Sequence, residues 1–229
     1  MYPPQGVSGG ISKLSELQID VDKDWNQKRI KNIGTPINDN DVARKIDVRL
    51  AARPIDMFRI ARVSGTDWNG PRSVAFSPDG NYLAAALADA DAVEIMSVPD
   101  LQRVVRVSGA DWAYAYRVAF SPDGNYLAVV TFTTKAIEIM TVPDLERVSR
   151  VSSNDWNGVG GVGFSPDGNY LAIASALTDV VEILTAPRLR RVKRVSGTDW
   201  DGAIGVAFSP DGTYLAVASN YADAIEIMS

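Results

Sequence analysis

The 229-residue chain has no histidine and no cysteine. The first absence removes the imidazole general base, the second removes thiol nucleophiles and disulfides, and together they take away conventional zinc ligand sets. A serine nucleophile would lack its usual partner, and no cofactor is expected. No run approaches the ~18–20 apolar residues of a helical membrane span, and the opening MYPPQGVSGG has no basic-then-apolar leader, so export through a Sec signal is not expected. Positive charge is also scarce. Beyond residue 53 the chain carries 14 Lys and Arg against 21 Asp and Glu, a net charge of −7, which argues against a nucleic-acid partner for that part.

What is present is repetition. FSPDG begins at Phe76, Phe120, Phe164 and Phe208, each copy 44 residues after the last. A tryptophan keeps the interval at Trp68, Trp112, Trp156 and Trp200, and a glutamate at Glu94, Glu138, Glu182 and Glu226. Whole units of roughly 40–45 residues rich in short strands are the signature of β-propeller blades, whereas solenoid repeats of similar length are helical. One unit, read from Arg103, runs RVVRVS, a loop around Trp112, YRVAFS, a Pro-Asp-Gly-Asn turn at Pro122 to Asn125, YLAVVTF, a polar link and AIEIMTV. β-Branched and aromatic residues fill the runs while Pro and Gly punctuate them, so four strands are expected per unit. FSPDG is then a hairpin turn, with its aspartate structural rather than catalytic.

The fold expected is all-β: a four-bladed β-propeller over residues 54–229, preceded by a small strand-plus-helix attachment segment at 1–53. The last unit stops at Ser229 after its third strand, and Asp56 to Val63 matches the outer-strand text Asp100 to Val107. The segment from Phe58 is therefore expected to pair with Ala224 to Ser229, sealing the ring and hiding two sheet edges. A ring that combines blades from several chains is the other arrangement open to so few blades. The repeated text, VAFSPDGNYLA at Val74 to Ala84 and its copies, resembles the WD-repeat-like propeller family, a resemblance that specifies fold and not function.

Paired carboxylates are the one catalytic apparatus left, as in a carbohydrate-active hydrolase, but glutamates repeated in every blade read as structural. Cross-strand ion pairs with arginines such as Arg103 and Arg106 are expected, worth roughly 0.2–1 kcal/mol each if exposed. An enzyme is not expected.

Differences between the near-copies gather in two links, one after each tryptophan and one between the second and third strands, and both should emerge on one face. Loops on a rigid scaffold are where binding resides. The candidate ligand-binding residues are Trp68, Trp112, Trp156, Trp200, Tyr114, Tyr116, Tyr221, Asp89, Asp91, Lys135, Asp179 and Asp223. Aromatic rings beside carboxylates suit sugars, although tryptophans that recur without exception also fit packing between blades. Asp89 and Asp91 alone do not complete a calcium shell, so no metal is expected.

The first 53 residues lack the repeat. Asn40 or Asp41 can cap a helix to about Ala52, with Val42, Ile46 and Leu50 on one face and Pro54 at its end. Such a helix needs a partner for its apolar stripe. The passage from Asp24 to Val48, with Trp25-Asn26, Ile30, Asn32-Ile33-Gly34, Pro36 and Asp41-Val42-Ala43, resembles a segment of bacteriophage and archaeal-virus tail-fibre proteins. That resemblance implies a homotrimer within a virion, bound to other virion proteins, with a propeller face that binds a glycan or protein of the host surface. The expectation is a tail-fibre or tail-tip structural protein. The rival readings are an intracellular, cytoplasmic protein-interaction scaffold and the hydrolase.

Overall fold

Each 44-residue unit folds as an antiparallel meander whose turns fall where Pro, Asp and Gly interrupt the β-branched runs. The structure, a computed structural model, describes residues 59–229, which form one unit. The attachment segment, its helix and the boundary at residue 54 lie outside the described residues. The first sheet contains β1 (Pro71–Phe76), β2 (Tyr82–Leu87), β3 (Ala92–Ser97) and β4 (Arg103–Ser108). The second contains β5 (Ala115–Phe120), β6 (Tyr126–Thr131), β7 (Ala136–Thr141) and β8 (Arg147–Ser152). The third contains β9 (Val159–Phe164), β10 (Tyr170–Ser175), β11 (Val180–Thr185) and β12 (Arg191–Ser196). The fourth has three strands, β13 (Ala203–Phe208), β14 (Leu215–Ser219) and β15 (Ala224–Met228).

The β1–β2 turn shows why FSPDG recurs. Ser77 Oγ donates to Asp79 Oδ1 at 2.5 Å, the same oxygen accepts the Asn81 N–H at 3.0 Å, and Gly80 takes φ 75° to close the turn. Asp123, Asp167 and Asp211 repeat the arrangement. The serine hydroxyl, foremost among these donors, holds each aspartate below its ordinary value of 3.8, and Asp211 falls to about 2. A depressed folded-state value means that the unfolded chain binds the proton first. The stabilisation is present above the ordinary value and disappears as pH falls through the folded one. Thermal midpoints are therefore expected to drop steadily as pH is lowered from ~4 towards ~2, and replacing all four turn aspartates by asparagine should flatten that slope. A profile unchanged by the replacements would exclude these turns as the cause.

Between successive sheets lies a continuous apolar layer. Val93 and Ile95 of β3 pack with Trp112, Val118, Leu127 and Val129 of the next unit. Ile137 and Ile139 do the same with Trp156, Leu171 and Ile173, and Val181 with Leu215 and Val217. β1 packs on β5, β5 on β9 and β9 on β13, but no comparable packing returns β13 to β1. The ends are less covered: Val74 is 63% exposed against 6% for its counterpart Val118, although Ala85 and Met96 of the same sheet are buried, and Ile225 and Ile227 are 80% and 71% exposed where Ile137 and Ile139 are fully buried. The four sheets form an open arc.

The expected seal is not formed here. Among the described residues β15 pairs only with β14, and residues 59–64 belong to no strand. The third-strand text of the last unit does make its strand, because β14 alone satisfies one edge of it. Among the described residues nothing satisfies the other.

Candidate binding site

The two variable links meet in every unit through one backbone hydrogen bond. The N–H groups of Ala88, Phe132, Ala176 and Asn220 donate to the carbonyls of Gly70, Tyr114, Gly158 and Gly202 at 2.8–3.1 Å. The links therefore share one end of each sheet, while the Pro-Asp-Gly turns line up at the opposite end, as Gly124 beside Pro78 and Gly168 beside Pro122 show. Contacts also cross between sheets. Asp91 Oδ1 accepts the Tyr114 N–H at 2.8 Å, and Asp179 Oδ1 accepts the Gly202 N–H at 3.2 Å.

One position distinguishes the second unit. Gly70, Gly158 and Gly202 take φ of 64–72°, and a Cβ there would stand 2.5 Å from Asp89 Oδ2, 2.8 Å from Leu177 Cγ and 2.6 Å from Tyr221 Cδ2. The equivalent residue of the second unit is Tyr114, held at φ 58°, with the shorter Thr133 in the facing link. A bulky residue in left-handed backbone costs roughly 1–2 kcal/mol, and such outliers concentrate where function requires them.

Tyr114 anchors a cluster absent from the other units. Its ring stacks on Tyr116 with centroids 6.2 Å apart, and Phe132 lies 5.7 Å and 6.0 Å from the two. Arg72, on β1, donates from Nη2 to Tyr114 Oη at 2.6 Å and sits over that ring. Arg117 lies 4.3 Å above the Tyr116 ring and donates from Nε to the Gly160 carbonyl at 2.7 Å. Arg72 is exposed and the other four are half-buried. Two guanidinium groups over three aromatic rings make a cationic, apolar patch on an acidic chain.

The candidate residues divide accordingly. Tyr114 and Tyr116 come together. Tyr221 is exposed on the fourth sheet, over Gly202, and Asp89 and Asp223 are exposed on their own links. Asp91 and Asp179 are committed to backbone N–H groups, and Lys135 is half-buried at a turn with φ 48°. Trp112 and Trp156 are buried, and Trp68 and Trp200 are half-buried against the apolar layers. The tryptophans therefore pack rather than line the patch. Arg72, Arg117 and Phe132 were not among the candidates. The signal lay in the same comparison of units, because Arg117 stands where the others have Ser73, Gly161 and Gly205, and Phe132 where they have Ala88, Ala176 and Asn220. No group of three or more potential metal ligands occurs among the described residues.

The repeated glutamates of the first three sheets form the cross-strand pairs expected, with the carboxylates buried. Glu94, Glu138 and Glu182 are buried, each between two arginines of the following strand. Glu138 lies 2.6 Å from Arg147 and 3.5 Å from Arg150, and Asp111 reaches both arginines from outside at 3.0 and 2.9 Å. Burial pushes the Glu138 carboxyl up and the arginines pull it back, while Arg147 and Arg150 hold Asp111 low. In the third unit Trp156 Nε1 donates to Glu182 Oε2 at 3.1 Å.

The model of the WD domain, G-beta repeat, matches residues 60–92 and 190–223. No curated protein sequence matches the chain. Among solved structures, hydrazine synthase of Kuenenia stuttgartiensis is similar in fold, with a TM-score of 0.63 and 19% identity over 77% of this chain. The match takes in 49% of that protein, so this chain spans about half of it. The repeats are WD-type, and the four sheets are blades of the β-propeller kind.

Proposed function

We propose that the chain is a non-catalytic recognition module that holds its target at the link-bearing end of the first two sheets. The observation that carries this reading is Tyr114, a strained aromatic in place of glycine, at the centre of Arg72, Tyr116, Arg117 and Phe132. Rings offer stacking surface to the C–H face of a sugar, and guanidinium groups pair with carboxylate or sulfate, so an acidic glycan is the ligand class proposed. The resemblance of Asp24 to Val48 supports placing the module in a virion tail fibre or tail tip, attached through residues 1–53 and meeting the host surface with this patch. A second reading, an intracellular interaction scaffold, draws on the WD-type repeats, and there the same patch would take an acidic protein segment.

Binding of the purified chain to arrays of neutral and acidic glycans tests the proposal. Tyr116→Ala and Arg117→Ala are each expected to weaken retention by about tenfold or more, as for a central contact residue. Tyr221→Ala, on the fourth sheet, should leave it unchanged. Tyr114→Gly should abolish retention while shifting stability by less than about 1 kcal/mol, because relief of backbone strain offsets the lost aromatic contacts. Indifference to charge on the glycan, or equal losses for Tyr221→Ala, would move the binding surface elsewhere.

A further inference from the structure

The two ends of the open arc carry matching halves of the interface that joins its sheets internally. On the far face of the fourth sheet, Ala216, Ala218, Ile225 and Ile227 stand at the positions of Ala84, Ala86, Val93 and Ile95, which pack against the second unit. On the near face of the first sheet, Trp68, Val74, Leu83 and Ala85 stand at the positions of Trp112, Val118, Leu127 and Val129, which receive them. The far face of the fourth sheet is bare, and on the first sheet Val74 is exposed while Leu83 is half-buried and Ala85 buried, so the two ends match the halves of the internal interface position for position.

Charge repeats the match. In the complete sheets the buried glutamate of the third strand is clasped by two arginines of the fourth, at the positions held by Arg103 and Arg106. The fourth sheet has Glu226 and, beside Trp200, Asp199, with no arginine partner among the described residues. Arg59 and Arg62 sit 44 residues before Arg103 and Arg106, are exposed, and pair with no carboxylate among the described residues. The WD-repeat match begins at Ile60, so this stretch reads as the outer strand of a repeat. Asp223 likewise occupies the place of Asp91 and Asp179, whose carboxylates accept the N–H of the next unit, and its acceptor site would meet Gly70.

Closure inside one chain would need each sheet to turn by about 90° relative to the last, as four blades require. The three internal interfaces use equivalent residues and so repeat nearly one rotation, yet β13 does not come back to β1. A step smaller than that accounts for the gap between β13 and β1. Among rings built from copies of this arc, the usual range of ~4–8 blades leaves eight, two copies with a step of ~45°. We propose that two copies of this chain close head to tail into one eight-bladed ring. Residues 59–63 of each add the missing outer strand to β15 of the other, bringing Arg59 and Arg62 to the partner's Glu226. The contact is heterologous, yet it closes after two copies, which satisfies both ends and leaves no sheet edge exposed.

By the register of β3 with β4, where Ile95 faces Val105, Ile227 should face Ala61 of the second copy. Directly opposed residues of an antiparallel pair have Cα atoms ~4.5–5.5 Å apart, within disulfide range. The chain has no cysteine to confuse the result. Light scattering on the full chain is expected to give twice the 24.7 kDa chain mass. The double variant Ala61→Cys with Ile227→Cys should run as a reducible covalent dimer. Arg62→Glu should loosen the dimer, and adding Glu226→Arg should restore it. A monomer with an intrachain disulfide would show closure in cis and overturn the proposal. A trimer would overturn it in favour of assembly through residues 1–53, and a dimer without the cross-link would place the contact elsewhere.

Discussion

Replacing Arg147 and Arg150 together by alanine is expected to destabilise the unit by about 3 kcal/mol, several times the effect of an exposed ion pair. The cost arises because Glu138 remains buried without its partners. It sits near the low end of the ~3–5 kcal/mol seen when a buried pair is broken, because the arginine side chains themselves are 39% and 27% exposed and water screens that side of the pair. The loss should depend on pH. The Glu138 carboxyl already titrates above its ordinary value of 4.5, burial outweighing the arginines, and without them it should rise further. The folded state then holds the proton after the unfolded chain has released it, so stability falls as pH rises from the unfolded value through the folded one. This slope is opposite in sign to that of the turn aspartates. Urea unfolding of the variant at several pH values above 4.5 checks both statements, and Glu138→Met in the same background should recover most of the loss by removing the charge. A cost below about 1 kcal/mol with no pH slope would mean that the carboxylate is hydrated and the pair behaves as an exposed one.

Much of the fold was legible because strand and turn chemistry act locally. Val, Ile and Tyr in six-residue runs, bounded by Ser-Pro-Asp-Gly, leave few choices, and a period of 44 residues repeats the answer four times. The burial of the glutamates was not legible. A carboxylate on a strand reads as exposed until the neighbouring sheet is in place, and only then do Trp112, Trp156 and the paired arginines enclose its surroundings. Asp56 to Val63 repeats outer-strand text, yet its described part, residues 59–63, forms no strand, because text does not say which β15 it will meet. That depends on the rotation between sheets, a quantity set by side-chain volumes across three interfaces.

The site was half legible for a related reason. Comparing units picks out Tyr114 because it interrupts a repeated Asn-Gly or Asp-Gly, and Tyr116 because it stands where the others have Arg72, Gly160 and Ile204. The same comparison weights tryptophans and aspartates by chemical type, although Asp91 and Asp179 are occupied by backbone N–H groups of the next unit. Arg72 and Tyr114 belong to different units, 42 residues apart, and only the packing of β1 on β5 makes them one surface.

Glycine permits the close approach of the third and fourth sheets. At the position of Arg117 the third unit has Gly161, where a Cβ would stand 2.9 Å from the Val206 nitrogen and 3.0 Å from the Gly205 Cα. Both are backbone atoms of the adjoining sheet and have no rotamer through which to yield. Gly161→Val is therefore expected to cost about 2–3 kcal/mol, the upper part of the range for overpacking, by wedging β9 from β13. Gly205→Ala is the matched control. Its Cβ would meet Ala218 Cβ at 3.5 Å, an ordinary contact, so the variant should be neutral or more stable by about 0.5 kcal/mol as a strand glycine is removed. Thermal unfolding of the two variants side by side separates close approach from strand propensity, because propensity alone favours both substitutions. If Gly161→Val unfolds no lower than the unaltered chain, the third and fourth sheets have room to separate. The absence of an arginine from that junction would then owe nothing to space, whereas a clear loss means that close approach excludes one there, while at the junction of the second and third sheets Arg117 has room to reach the Gly160 carbonyl.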